Sequence, residues 1–248
     1  MILVVDAGNT RIKWGVVRDG IWLGEGALAH DAADALEQVA RAHPGVTHVF
    51  GANVAGPTTG ARIEAALHTV APPIQWLRAS AHRCGVRNLY DEPSQLGVDR
   101  WAALIGAHAL HRGACLVVNA GTATTIDMLA ASGEFCGGLI LPGDELMRRA
   151  LAGNTAQLPF AAGHYRTAPR NTADAIASGC LTAQLGAITL TFERLAAQPN
   201  AVCLLSGGGA ARLEPLMTIP FRRVDNLVLK GLAHIAASEP VEADERGC

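Results

Sequence analysis

The stretch Ile2-Leu3-Val4-Val5-Asp6-Ala7-Gly8-Asn9-Thr10 returns later in the chain as Cys115-Leu116-Val117-Val118-Asn119-Ala120-Gly121-Thr122-Ala123. Each copy is a short apolar run that ends in an acid or an amide and then enters a small-Gly-polar turn. A second extended run comes next, Ile12 to Val17 in one copy and Thr124 to Leu129 in the other. A continuous apolar run closed by a glycine turn reads as a strand buried on both faces. An internal repeat fixes the plan of the whole fold, so it outranks any local signal.

Beyond each copy the elements keep one order. In the first half, a third strand (21–28) leads to a helix from Asp31, as N-cap, to His43. A strand at 46–54, a helix at 57–70 and a strand at 74–77 come next. The second half has a third strand at 136–141, helices near 144–151 and 172–197, and a strand at 201–206. A helix near 210–217, a short strand at 219–223 and a last helix from Asn226 complete it. Three leading strands and then alternating helix and strand, done twice, predict an α/β fold of two duplicated domains facing one another, 1–113 and 114–248. The competing reading is chance likeness between two buried strands. Residues 153–171 read as a mobile loop, and 238–248 as an acidic, frayed tail.

The 248 residues suffice for one large domain or two small ones, and with half of them hydrophobic and 17% charged the chain is not disordered. A net charge of −2 gives no general attraction to nucleic acid or anionic lipid. Lys13 and Lys230 are the two lysines among twenty basic residues, so a phosphate-binding lysine must be one of them. The six cysteines form no CxxC pair, which argues against a disulfide framework or zinc site and fits a reducing compartment. The start carries no positive region and meets an acid at Asp6, unlike a signal peptide, and no apolar run reaches ~18 residues. These features predict a cytoplasmic protein.

The chemistry gathers at strand ends. The first strand delivers Asp6 to its carboxyl end, where open α/β sheets bind ligands. Gly8 lets backbone amides approach an anion. Asp6 would repel a phosphate unless a divalent cation lay between them, so an acid beside a donor-rich turn suggests a metal–nucleotide. An ordinary Asx turn between strands reads equally well from that segment alone. The second copy, Asn119 to Thr125, adds hydroxyls and a second glycine turn for the same polyphosphate. A third turn, Ser206-Gly207-Gly208-Gly209, again comes after a strand and offers flat contact to an adenine or ribose. No GxxxxGK[ST], GxGxxG after a strand, GxSxG or HExxH occurs. Gly97-Val98-Asp99-Arg100 opens an apolar helix running to about Leu110 and puts Asp99 and Arg100 in its first turn. Asp99 can be read as a helix cap with Arg100 solvated or ion-paired. It can equally be read as the acceptor of a proton from an attacking hydroxyl, with Arg100 offering a forked donor to a substrate carboxylate.

Four segments then occur in order: Asp6 to Thr10, Gly97 to Arg100, Gly121-Thr122-Ala123-Thr124-Thr125-Ile126-Asp127, and Gly137-Gly138-Leu139-Ile140-Leu141-Pro142-Gly143. Together, over essentially the whole chain, they resemble the type III pantothenate kinases of the acetate and sugar kinase/Hsp70/actin superfamily. The resemblance implies two ribonuclease H-like domains with ATP in the cleft between them. It implies transfer of phosphate from ATP to pantothenate, giving 4′-phosphopantothenate, the first step towards coenzyme A. It implies a first ATP-binding turn from Asp6, Ala7, Gly8, Asn9, Thr10, Arg11 and Ile12 to Lys13, with Thr122 as a nucleotide contact in the second turn. Asp99 would be the proton acceptor, Gly97, Val98, Asp99 and Arg100 would hold pantothenate, and Tyr90 would line its pocket. Thr172 would reach substrate from the partner subunit of a homodimer. Mg²⁺ and a monovalent cation, K⁺ or NH₄⁺, are the implied cofactors.

This chain departs from the pattern at Asn119, where many members carry an acid tied to the monovalent cation. An amide keeps one carbonyl oxygen and loses a full charge, so activation by K⁺ or NH₄⁺ is expected to be weakened. Two other readings stand beside the kinase: a regulatory accessory protein that keeps the fold, and a kinase for another small hydroxyl substrate.

Overall fold

The computed structural model describes residues 1–238; the acidic tail expected from position 238 falls almost entirely outside them. The first sheet is built from β1 (Ile2–Ala7), β2 (Ile12–Arg18) and β3 (Ile21–Leu28), then α1 (Ala35–Ala42), β4 (His48–Asn53), α2 (Pro57–Leu67) and β5 (Ile74–Trp76). Its order is β3-β2-β1-β4-β5. β1 runs antiparallel to β2 and parallel to β4. As an inner strand β1 is buried from Leu3 to Ala7, whereas the edge strand β3 has no buried residue. Leu3, Val5 and Ala7 pack with Leu36, Ile63 and Leu67 in one core. The helix expected from Asp31 begins only at Ala35: a 3-10 turn occupies His30–Ala32, and neither Asp31 nor Asp34 caps with its side chain.

A hairpin of β6 (His82–Arg83) and β7 (Val86–Asn88), which the sequence pattern does not announce, turns through Cys84 and Gly85. Both have positive φ, as a two-residue hairpin loop demands. Then come α3 (Val98–Leu110), β8 (Cys115–Ala120), β9 (Ala123–Leu129), β10 (Glu134–Pro142), α4 (Asp144–Asn154) and α5 (Thr172–Glu193). The chain ends with β11 (Val202–Ser206), α6 (Ala210–Leu213), β12 (Phe221–Arg223) and α7 (Leu227–Ser238). The second sheet has the order β12-β11-β8-β9-β10-β7-β6. Its part β10-β9-β8-β11-β12 repeats β3-β2-β1-β4-β5 strand for strand, with the same directions. The duplication seen in the sequence is a duplication of topology. α6 stops four residues in and continues as a 3-10 turn over Glu214–Leu216, because Pro215 has no N–H for the helical ladder.

The two compact units do not divide at 113/114. One joins residues 1–85 to Ser94–Ala109 and to the chain from Val228; the other holds Val86–Pro93 and Leu110–Leu227. The last helix belongs to the first unit because α7 lies directly on α3: a Cβ at Gly231 would overlap the Ala102 carbonyl oxygen. Leu229, Leu232 and Ile235 of α7 are wholly buried. Within the second unit, α5 is long and apolar enough to cross a membrane by length and composition. Its Leu181, Ile188 and Phe192 pack into the core with Leu116, Val118 and Ile126, as a core helix does.

Candidate active site

In the first unit, strand register builds the site. Asp6 lies directly opposite Lys13 across β1 and β2, so the one acid of the first turn faces one of the two lysines. Asp6 is only 7% exposed. Burial pushes its carboxyl up to about 7; Lys13 works against this and the nearby charge of Asp99 adds to it. Lys13 and Asp99 thus both act on Asp6 within the first unit. The turn tip, Asn9 to Arg11, is exposed, and the Gly8 amide donates to the Arg11 carbonyl at 3.1 Å.

Asp99 sits in the first turn of α3. Its Oδ1 accepts the Arg100 amide at 2.8 Å, and the first helical bond runs from the Trp101 amide to the Gly97 carbonyl at 2.9 Å. A Cβ at position 97 would stand 2.8 Å from that same Oδ1, so Gly97 makes room for the Asp99 carboxylate over the helix end. Arg100 is buried rather than solvated, and Val98 is half-buried.

The second unit repeats the scaffold with different chemistry. Asn119 stands opposite Thr125 on β9 and beside Ser206 on β11, so the place of the Asp6–Lys13 pair is taken by neutral groups. The Gly121 amide donates to Ala123 at 3.0 Å, closing a turn one residue shorter than the first, and Thr122 at its tip is exposed. Thr124 Oγ1 donates to Gln184 Oε1 at 2.6 Å, both buried, and so fastens this turn to α5. The other glycine turns close on it. The Gly143 amide donates to Thr122 at 2.8 Å and the Gly209 amide to Ala120 at 2.8 Å. Gly207, at φ +97°, lies where a Cβ would overlap the Ala120 carbonyl oxygen.

These glycines fall into two kinds. Gly143, whose Cβ would collide with the Gly121 oxygen, and Gly207 are required by the fold itself. Gly8 and Gly121 are not: each Cβ would meet one carbonyl oxygen, Arg11 or Ala123, at an ordinary 3.4 Å. The fold alone does not demand a bare backbone at 8 and 121.

Tyr90 and Thr172, both in the second unit, occupy separate settings. Tyr90 comes after β7 and rests against Phe135, ring centroids 5.3 Å apart. Thr172 is exposed on α5, whose N-cap is Asn171; the Asn171 side chain accepts the Asp174 amide at 2.9 Å. Thr172 lines an open groove of about 1060 Å³ between α4 and α5, with Met147, Leu151 and Ile176. The segment expected to be mobile is fastened in its second half, where the His164 amide donates to Asp174 and the Arg166 amide to Ser178. A second cavity, of about 480 Å³, lies beside α6 between Arg148, Tyr165, Leu181, Arg212 and Pro215. Arg212 is hydrogen-bonded to Asp144, which also pairs with Arg148 at 3.4 Å. Sequence reasoning does not find Asp144 and Arg212, Gln184, or the role of Gly143; a distant partner is invisible to local pattern.

Two sheets of one topology, each with a glycine turn after its first strand, define the class of the two-domain actin-like ATPases and sugar kinases. Solved structures agree. A Sinorhizobium meliloti protein assigned as a 2-dehydro-3-deoxygalactonokinase matches with TM-score 0.62 at 18% identity, covering 95% of this chain and 98% of its own. The activator of the 2-hydroxyisocaproyl-CoA dehydratase from Clostridium difficile, with bound ADPNP, matches with TM-score 0.54 at 11% identity over 95% and 92%. At such identities the likeness is one of fold. Sequence goes further: the type III pantothenate kinase family model matches residues 2–194. A type III pantothenate kinase of Aromatoleum aromaticum is 66% identical over 96% of this chain and 99% of its own, and one of Dechloromonas aromatica is 52% identical over 95% and 99%. The chain belongs to the type III pantothenate kinase family.

Proposed function

We propose that the protein transfers the γ-phosphoryl group of ATP to pantothenate, giving ADP and 4′-phosphopantothenate at the start of coenzyme A synthesis. The observation that carries this reading is the Asp99 carboxylate, held over a helix end within electrostatic reach of Asp6, in a chain of this family. Asp99 Oδ1 takes the Arg100 amide, and Oδ2 accepts the proton as the substrate oxygen bonds to phosphorus. The bond to the ADP oxygen breaks and ADP leaves with its electron pair. A loose transition state asks mainly for positioning, so a carboxylate suffices as base. Buried Arg100 suits the pantothenate carboxylate, with Gly97 and Val98 beside it in the first unit; Tyr90, in the second unit, is given to pantothenate by the family resemblance.

Mg²⁺ on the nucleotide, when bound, neutralises charge on the phosphates, and Asp6 would hold it. The fit rests on a buried carboxylate that Asp99 further disfavours and that a cation would relieve. The amides from Ala7 to Thr10, with Arg11, Ile12 and Lys13, make the first phosphate turn and Thr122 tops the second. The Ser206-Gly207-Gly208-Gly209 turn after β11 would offer its backbone to the adenine or ribose.

The neutral group of Asn119, Thr125 and Ser206 does not suit a tightly held K⁺ or NH₄⁺, so dependence on either is weak. Negligible turnover without K⁺ or NH₄⁺, restored by a low concentration of either, would contradict this. A homodimer is supported by α4, which has no buried residue and exposes Leu146 and Leu151 beside the groove that Thr172 lines. Light scattering of the purified protein should give twice the chain mass. The free cysteines of the described residues, with Cys115 and Cys203 pushed up to about 12 by burial, fit a cytoplasmic setting.

Asp99→Asn tests the mechanism: turnover should fall about 10²- to 10⁴-fold with folding intact, because an amide cannot take the proton. A regulatory role on this fold has its support in a Campylobacter jejuni structure assigned to the Baf family of transcriptional activators, TM-score 0.60 at 20% identity over 95% and 97%. That likeness is of fold, and Asp6, Asp99 and Arg100 keep the chemistry here.

A further inference from the structure

Asn88 ends β7, with 5% of its surface exposed. It is paired in register with Phe135 of β10, which is wholly buried, and the Leu89 amide donates to the Phe135 carbonyl at 3.3 Å. The Asn88 side chain then uses both ends. Its Oδ1 accepts the Tyr90 amide at 3.1 Å, and its Nδ2 donates to the Pro93 carbonyl at 3.1 Å. The first bond is an Asx turn that sets where the backbone leaves the strand. The second closes the loop 89–93, in which Leu89, Asp91 and Glu92 are exposed. Between the two bonds the Tyr90 ring is set at 40° to the Phe135 ring. An asparagine serves both bonds at once because it carries an acceptor and a donor on one planar group. Alanine supplies neither, and aspartate keeps only the acceptor.

We infer that Asn88 is a positioning residue for the pantothenate pocket, acting through Tyr90: it fixes the 89–93 loop so that the Tyr90 ring is preset before substrate arrives. This rests on the reading of Tyr90 as a wall of that pocket. A bond pair that only stabilised the fold would affect both substrates alike; one that presets Tyr90 affects pantothenate alone.

The test is steady-state kinetics on the intact protein, varying pantothenate at saturating Mg-ATP and Mg-ATP at saturating pantothenate. Wild type is compared with Asn88→Ala, Tyr90→Ala and the double variant. Asn88→Ala should raise KM for pantothenate about tenfold and leave KM for ATP within about twofold. In the Tyr90→Ala background it should add nothing, since the group it acts through is gone. An equal rise in both KM values, or full additivity in the double variant, would overturn the assignment. Should Asn88→Ala fail to fold, Asn88→Asp carries the same measurement, with a smaller rise in the same KM. Wild-type protein showing no pantothenate-dependent turnover would count against the proposed function, and is thereby separable from a failure of Asn88 alone.

Discussion

Asp6 and Asp99 are two carboxylates with different surroundings. Asp99 rests on a helix end that welcomes negative charge, while Asp6 is buried, and its proton leaves only near pH 7. In the unfolded chain Asp6 gives up its proton near 3.8. Between these values the folded state holds the extra proton, so in the absence of Mg-ATP this group makes stability fall as pH rises from about 4 to about 7 and then level off. Asp6→Asn removes the ionisation. Urea denaturation at pH 8 should show the variant more stable than wild type by up to about 4 kcal/mol, with the gap narrowing towards pH 5 and catalysis lost. An equal gap at both pH values would show that burial of the charge is not what strains the site. None of this is legible in the sequence. The segment from Asp6 to Thr10 shows an acid beside a glycine turn, but Asp99, whose charge adds to its proton affinity, lies more than ninety positions away.

At the scale of single elements, the glycine turns separate folding from function. Gly8→Ala, with its Cβ at an ordinary distance from the Arg11 oxygen, should leave Tm within a few degrees and raise KM for ATP at least fivefold. Gly143→Ala would drive a methyl into the Gly121 and Thr122 backbone and should lower Tm by well over 5 °C or prevent soluble expression. Thermal melts set beside ATP titrations distinguish the two. If Gly8→Ala were the less stable variant, the argument that a ligand requires that glycine would be wrong. The sequence shows both glycines as parts of motifs and cannot rank them, because the rank depends on which backbone lies behind each. Strands are legible wherever apolar runs end in turns. The hairpin 82–88 is not, since His82, Arg83, Arg87 and Asn88 carry no β-type pattern. The helix expected from Asp31 starts later because Asp31 lies inside the 3-10 turn His30–Ala32, and the N-cap place of α1 falls to Asp34, whose side chain makes no capping bond.

Across the whole molecule, the repeat at positions 2 and 115 announces two sheets of one topology, and both are there. Duplication also shows what has diverged: Asp6 and Lys13 in one copy, Asn119 and Thr125 in the other, on the same strand positions. The chemical division of labour between copies is therefore readable residue by residue. The division into units is not, because it depends on where α7 comes to rest, and Gly231 against Ala102 is a contact between distant parts of the chain. The central claim is that this duplicated fold phosphorylates pantothenate. ADP release by the purified protein with Mg-ATP and NH₄⁺, with and without pantothenate, and with the product weighed by mass spectrometry, addresses it most directly. The account predicts ADP formation that depends on pantothenate and a product heavier by one phosphoryl group. ATP binding without any stimulation by pantothenate would contradict it.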